Sequence, residues 1–168
     1  YKIFKKEVVV VFLIFILALC LRLFILVQSD NFHGIAIGKT VIAMHILRNP
    51  GIRANYDQAH APLPQYIFAA ALSLWKNPFI TPRIVTLVFG SLLIFPFYYY
   101  VKLAFDRRIA LFSALIAGVY SEHVIYSVLS TGETILHFFL FASLYFFMKF
   151  KKELPRDSYL IFSGFLLG

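Results

Sequence analysis

The chain has 168 residues, 61% of them hydrophobic, 18% aromatic and only 14% charged, with a mean hydropathy of +0.80. That makeup excludes a water-soluble enzyme and a disordered tail, and with Cys20 as the single cysteine it excludes a disulfide scaffold too. A net charge of +8 would suggest nucleic acid as the partner of a soluble protein. In a bilayer protein, basic residues gather in cytoplasmic loops and at headgroups, so the charge is read as an orientation signal and no nucleic-acid partner is expected.

The first element runs from Glu7 to Val27, an apolar stretch of about 20 residues that suffices to cross a hydrocarbon core of roughly 30 Å. Lys2, Lys5 and Lys6 precede it, which predicts a cytoplasmic N-terminus. The bulky Phe24-Ile25-Leu26 that ends the run favours a retained span over a cleaved signal peptide. An outer loop, residues 28–82, follows. Within it a helix from Gly34 to Leu47 is expected along the membrane surface, with Lys39 and Arg48 reaching for headgroups and Asn49-Pro50-Gly51 ending it. Leu63 to Trp75 is about 13 residues long, too short for a span, and is expected as a second surface helix.

Further spans are expected over residues 84–103, 109–129 and 134–148, with another starting at 159. The start at Tyr1 and the stop at Gly168 within an apolar run read as a part of a longer protein, the N-terminal portion of one transmembrane module over 1–168. The fold class expected is therefore all-α, a polytopic transmembrane helical protein with amphipathic surface helices in its first outer loop.

Counting basic residues decides between two registers. With Leu63 to Trp75 on the surface, Lys2, Lys5 and Lys6, then Lys102, Arg107 and Arg108, then Lys149, Lys151, Lys152 and Arg156 all fall inside, and the turn Ser130 to Glu133 has no basic residue outside. A spanning Leu63 to Trp75 would put both later basic loops outside, against the positive-inside bias. The surface register gathers Asp30, His33, Asp57, His60 and Glu133 on the non-cytoplasmic side.

Several of these residues allow two readings. Asp30 is either a general base toward a hydroxyl or amine acceptor, or a partial ligand of a divalent cation, or merely the cap of the next helix. His60, ahead of Pro62 and Pro64, can meet phosphate or a metal, or simply sit solvated at headgroup level. Glu133 can ligate a metal or cap its own helix. Arg22, inside the first span, is a phosphate clamp or an arginine that snorkels to the interface, and Arg83 invites the same pair of readings. No nucleotide-binding glycine loop is present, so an activated substrate is expected to come from the membrane.

Taken in order, Arg22-Leu23 near the end of the first span, Asp30, His60-Ala61-Pro62-Leu63 and the run Arg83 to Gly90 resemble the start of the GT-C superfamily of membrane glycosyltransferases. That group includes protein O-mannosyltransferases and aminoarabinose transferases acting on lipid A. Ser127 to Glu133 is a weaker fifth mark, and the likeness extends to about Met148. The resemblance implies hexosyl or pentosyl transfer from a polyprenyl-phosphate sugar, with Asp30 as catalytic base. Arg22, His60 and Arg83 are expected at the phosphate, and Glu133 as part of a site for a divalent cation. It further implies a multi-pass protein of the plasma membrane, with membrane lipids as neighbours and a protein or lipid as acceptor. The chain has Asn31 where the family often shows Glu, and Ala61 where it often shows Pro. A non-catalytic membrane subunit or scaffold of a larger complex is the alternative.

Overall fold

The computed structural model describes residues 2–29, 34–49, 62–152 and 157–167, and every regular element among them is helical. In chain order these are α1 (Lys2–Gln28), α2 (Gly34–Arg48), α3 (Leu63–Leu74), α4 (Thr81–Leu92), α5 (Ile94–Ala104), α6 (Arg107–Val119), α7 (Ser121–Val128), α8 (Glu133–Lys152) and α9 (Asp157–Leu167). Among the described residues, three stretches are long and apolar enough to cross a membrane: Lys6–Gln28, Thr81–Ala104 and Glu133–Lys152. The bent pair α6 and α7 makes a fourth if it counts as one span. The chain is thus an all-helical polytopic membrane protein.

Two of the expected spans are interrupted, each for a local reason. The second is continuous in direction but irregular at Leu93, because Pro96 has no N–H to offer the Leu92 carbonyl and its ring crowds that oxygen. The third, expected as one run over 109–129, bends by 52° between α6 and α7. Tyr120 makes the break by taking an extended ψ of 117°.

Small residues let the helices approach. Ala18 on α1 and Ala110 and Ala114 on α6 are fully buried, and a Cβ added at Gly118 would lie in ordinary contact, 3.5 Å from that of Ala18. Val11, Ile14, Ile94, Tyr98 and Val101 complete this core between α1, α5 and α6. A second core joins Ala43 and Ile46 of α2, Phe68, Ala69 and Leu72 of α3, and Ile135 of α8.

Contacts at the helix ends sort the bundle into two poles. At one, Arg83 in the first turn of α4 reaches Ser29 after α1 and the Val128 carbonyl at the end of α7, and Thr134 Oγ1 donates to the Thr86 carbonyl at 3.4 Å. At the other, Glu7 of α1 accepts from Tyr98 Oη at 2.7 Å and pairs with Lys102 and with Arg107. Lys152 joins this second pole through the Leu103 carbonyl.

α3 leaves and returns to the first pole. Its Pro64 lies against Gly132 beside the start of α8, and the Trp75 carbonyl after its last turn accepts from Thr81 Oγ1 at 2.8 Å, where α4 begins. Its 12 residues measure about 18 Å, well short of the hydrocarbon thickness.

Candidate functional site at the first pole

Arg22 is fully buried in α1, and its guanidinium is occupied by protein. Nη1 donates to the carbonyls of Ala18 and Gly118, both at 2.9 Å, Nε to Ser127 Oγ at 3.2 Å, and Nη2 to His123 Nδ1 at 2.9 Å. The Gly118 carbonyl would bond the N–H of Glu122 in an unbroken helix, so the arginine satisfies an oxygen that the bend at Tyr120 releases. A charged donor in a bilayer is expensive unless its N–H groups find acceptors, and four of the five Arg22 N–H groups are met by protein. Gly90 makes the room: a Cβ there would lie 2.3 Å from Ser127 Oγ and 3.5 Å from Arg22 Nε.

Arg83, 7% exposed, stands seven residues before Gly90 in the first turn of α4, about two turns farther out. Its Nε donates to the Val128 carbonyl at 3.0 Å, and Nη2 to the carbonyl and Oγ of Ser29 at 2.8 and 2.7 Å. It joins the ends of three helices, and its placement follows from Thr81 and Pro82, which open α4 so that the third residue points inward.

Lys39 departs from its expected place. It is not a headgroup anchor but 5% exposed, because it falls on the same face of α2 as Ala36, Ala43 and Ile46 at helical spacing. Its Nζ pairs with Glu133 Oε1 at 2.7 Å and donates to the Thr131 carbonyl. The turn carrying that carbonyl has φ of 54° at Ser130 and 88° at Gly132. Gly132 suits the second position because it lacks a Cβ, which would in any case come 2.9 Å from Pro64.

Glu133 Oε2 is buried without a partner among the described residues. A divalent cation needs several oxygen or imidazole ligands, yet no three His, Cys, Asp or Glu side chains converge among the described residues. The Lys39 ammonium already faces the Glu133 carboxylate. The described residues therefore do not fit such a cation. Asp30 and His60, like His33 and Asp57, lie outside the described residues.

Of the residues expected from the sequence, Arg22, Arg83 and Glu133 thus fall toward the same pole. Lys39, Ser127 and His123 were not singled out for this role. A lysine on an otherwise small and apolar helix face was the available signal for the first, and the two others became partners only once the third span bent.

Residues 59–168, more than half the chain, match the family described as dolichyl-phosphate-mannose-protein mannosyltransferase. The chain belongs to that family. Comparison with curated proteins and with solved structures yields no match. Membership in this mannosyltransferase family agrees with the GT-C resemblance and makes the chain part of a membrane glycosyltransferase. The matched region takes in α3 to α9, hence Arg83, Glu133 and the bend between α6 and α7.

Proposed function

We propose that this chain transfers a sugar, hexosyl or pentosyl, from a polyprenyl-phosphate donor to a protein or lipid acceptor on the non-cytoplasmic side of the plasma membrane. The family match supports lipid-linked glycosyl transfer. The observation that supports this reading is the grip of Arg83 on Ser29, the residue that precedes Asp30 in the chain. The basic residues Lys2, Lys5, Lys6, Arg107 and Arg108 favour the opposite pole as cytoplasmic.

In this reading Asp30 accepts the proton of the acceptor hydroxyl or amine as that atom attacks the anomeric carbon. The bond from the anomeric carbon to the phosphate oxygen breaks, and the lipid phosphate leaves with the electron pair. Arg83 supplies positive charge at that end, where little water means strong electrostatics, and His60 supports it as a phosphate donor. Arg22 acts instead by holding the bundle, since its donors meet Ala18, Gly118, Ser127 and His123.

The test is Asp30→Asn in the full-length protein. Glycan transfer should fall at least about a hundredfold, in the range of a lost general base, with membrane abundance unchanged. Abundance falling in step with transfer would support the non-catalytic subunit instead.

A further inference from the structure

A cavity of about 570 Å³ lies on the inner side of the bend, between α5, α6, α7 and α8. Its deeper wall is apolar, made by Leu93, Phe97, Ala117 and Phe141, and its shallower end carries Glu122, His123, Tyr126 and His137. Ile116 and Tyr126 on its rim are exposed, so it opens to the outside of the bundle. Its volume lies within the usual range for a site taking a small amphiphile.

One atom of its lining residues is chemically unfinished. Arg22 Nη2 can only donate, so His123 Nδ1, 2.9 Å away, must accept. The neutral imidazole then carries its proton on Nε2, and that nitrogen is buried with no partner among the described residues. An N–H left unpaired in apolar surroundings is costly, and an oxygen acceptor brought by a ligand would complete it. Along α1, Arg22 lies six residues, or about 9 Å, before Gln28. The donor therefore sits a little below the outer boundary, where glycerol esters give way to chains.

We infer that this cavity binds one acyl chain of a bilayer glycerophospholipid, its ester carbonyl accepting from His123 Nε2–H and its hydrocarbon running down past Phe97 and Phe141. A neutral carbonyl suits the polar end better than a phosphate does. Glu122 lines the same end and would repel an anion, while four of the five Arg22 N–H groups are already taken by protein. The inference does not depend on the proposed transfer reaction.

The test uses the full-length protein in vesicles of phosphatidylcholine doped with a diester phosphatidylcholine carrying a diazirine halfway along one chain. Irradiation should label residues of the cavity wall, Phe97 and Phe141 among them. An ester-linked phosphatidylcholine competitor should suppress that labelling roughly tenfold better than its ether-linked analogue, which lacks the carbonyl. Ala117→Trp, which fills the space, should remove wall labelling while leaving Arg22 and His123 intact. His123→Phe should erase the ester preference in any fraction that folds. Labelling spread evenly around the bundle, or equal competition by ester and ether lipids, would overturn the inference. So would a polyprenyl phosphate competing better than the ester phospholipid, because the cavity would then belong to the donor.

Discussion

Arg22 shows how one charge can be lodged in a span. Arg22→Leu removes all four donated bonds and leaves the Gly118 carbonyl and His123 Nδ1 without their donor, a loss of about 3 kcal/mol on ordinary values for charged hydrogen bonds. Thermal unfolding in detergent should register it as a clear fall in Tm, and Arg22→Lys should rescue little, since an ammonium cannot span the same fork of acceptors. A Tm equal to that of the wild type after Arg22→Leu would mean the bonds contribute nothing. Gly90→Ala should cost about 2 kcal/mol, because the new methyl meets Ser127 Oγ and Cβ at 2.3 and 2.8 Å. Adding Ser127→Gly should recover part of that loss, whereas purely additive losses in the same assay would contradict the contact. None of this was readable from residues 22, 90 and 127 in a line: the sequence shows an arginine in an apolar run, and apart from Ala18 its partners lie some hundred positions away.

Helices α2 and α8 are joined through the Lys39–Glu133 pair and the second core. With Lys39 at 6% and Glu133 at 40% side-chain exposure, solvent screens one partner only, and Glu133→Gln should lower stability by about 1–2 kcal/mol. Lys39→Met combined with Glu133→Gln should lose less than the two single changes summed, as measured by a double-mutant cycle. Additivity would show that the pair is not coupled. The elements themselves were largely legible. The helix expected over 34–47 is Gly34–Arg48, and that expected over 63–75 is Leu63–Leu74, because Asn49-Pro50, Pro62 and Pro78 punctuate the chain in known ways. The inward turn of Lys39 left a signal in its small, apolar helix face, but its partner was not legible, since that is a carboxylate on another helix. The bend at Tyr120 was hidden as well: no proline marks it, and Gly118 and the polar Ser121-Glu122-His123 beside it are compatible with a single run over 109–129.

Across the whole molecule, the two poles make a statement about sides. In a Cys20→Ala background, cysteines placed at Asn49 and Trp75 should react with an impermeant maleimide added outside intact cells. Cysteines at Arg108 and Lys151 should react only after permeabilisation. Trp75 and Arg108 reacting from the same side would break the arrangement, because Trp75 is tied to the start of α4 while Lys102 and Arg107 meet Glu7 at the opposite end. The all-helical membrane class followed from composition and run length alone. The polar pairs that order the bundle did not, because each is formed between segments far apart in the chain. Asp30 and His60 stood out as candidates from their residue types and surroundings and took a definite role only by likeness to a family, and both lie outside the described residues.

The elbow at Tyr120 owes its permanence to a guanidinium borrowed from another segment. Cut away from α1, a peptide of residues 107–128 in lipid would find its cheapest arrangement by closing the ordinary ladder from Glu122 to Gly118 and running straight. Such a peptide in micelles should therefore show an unbroken helix through Tyr120 by NMR, and the crook only when α1 is added.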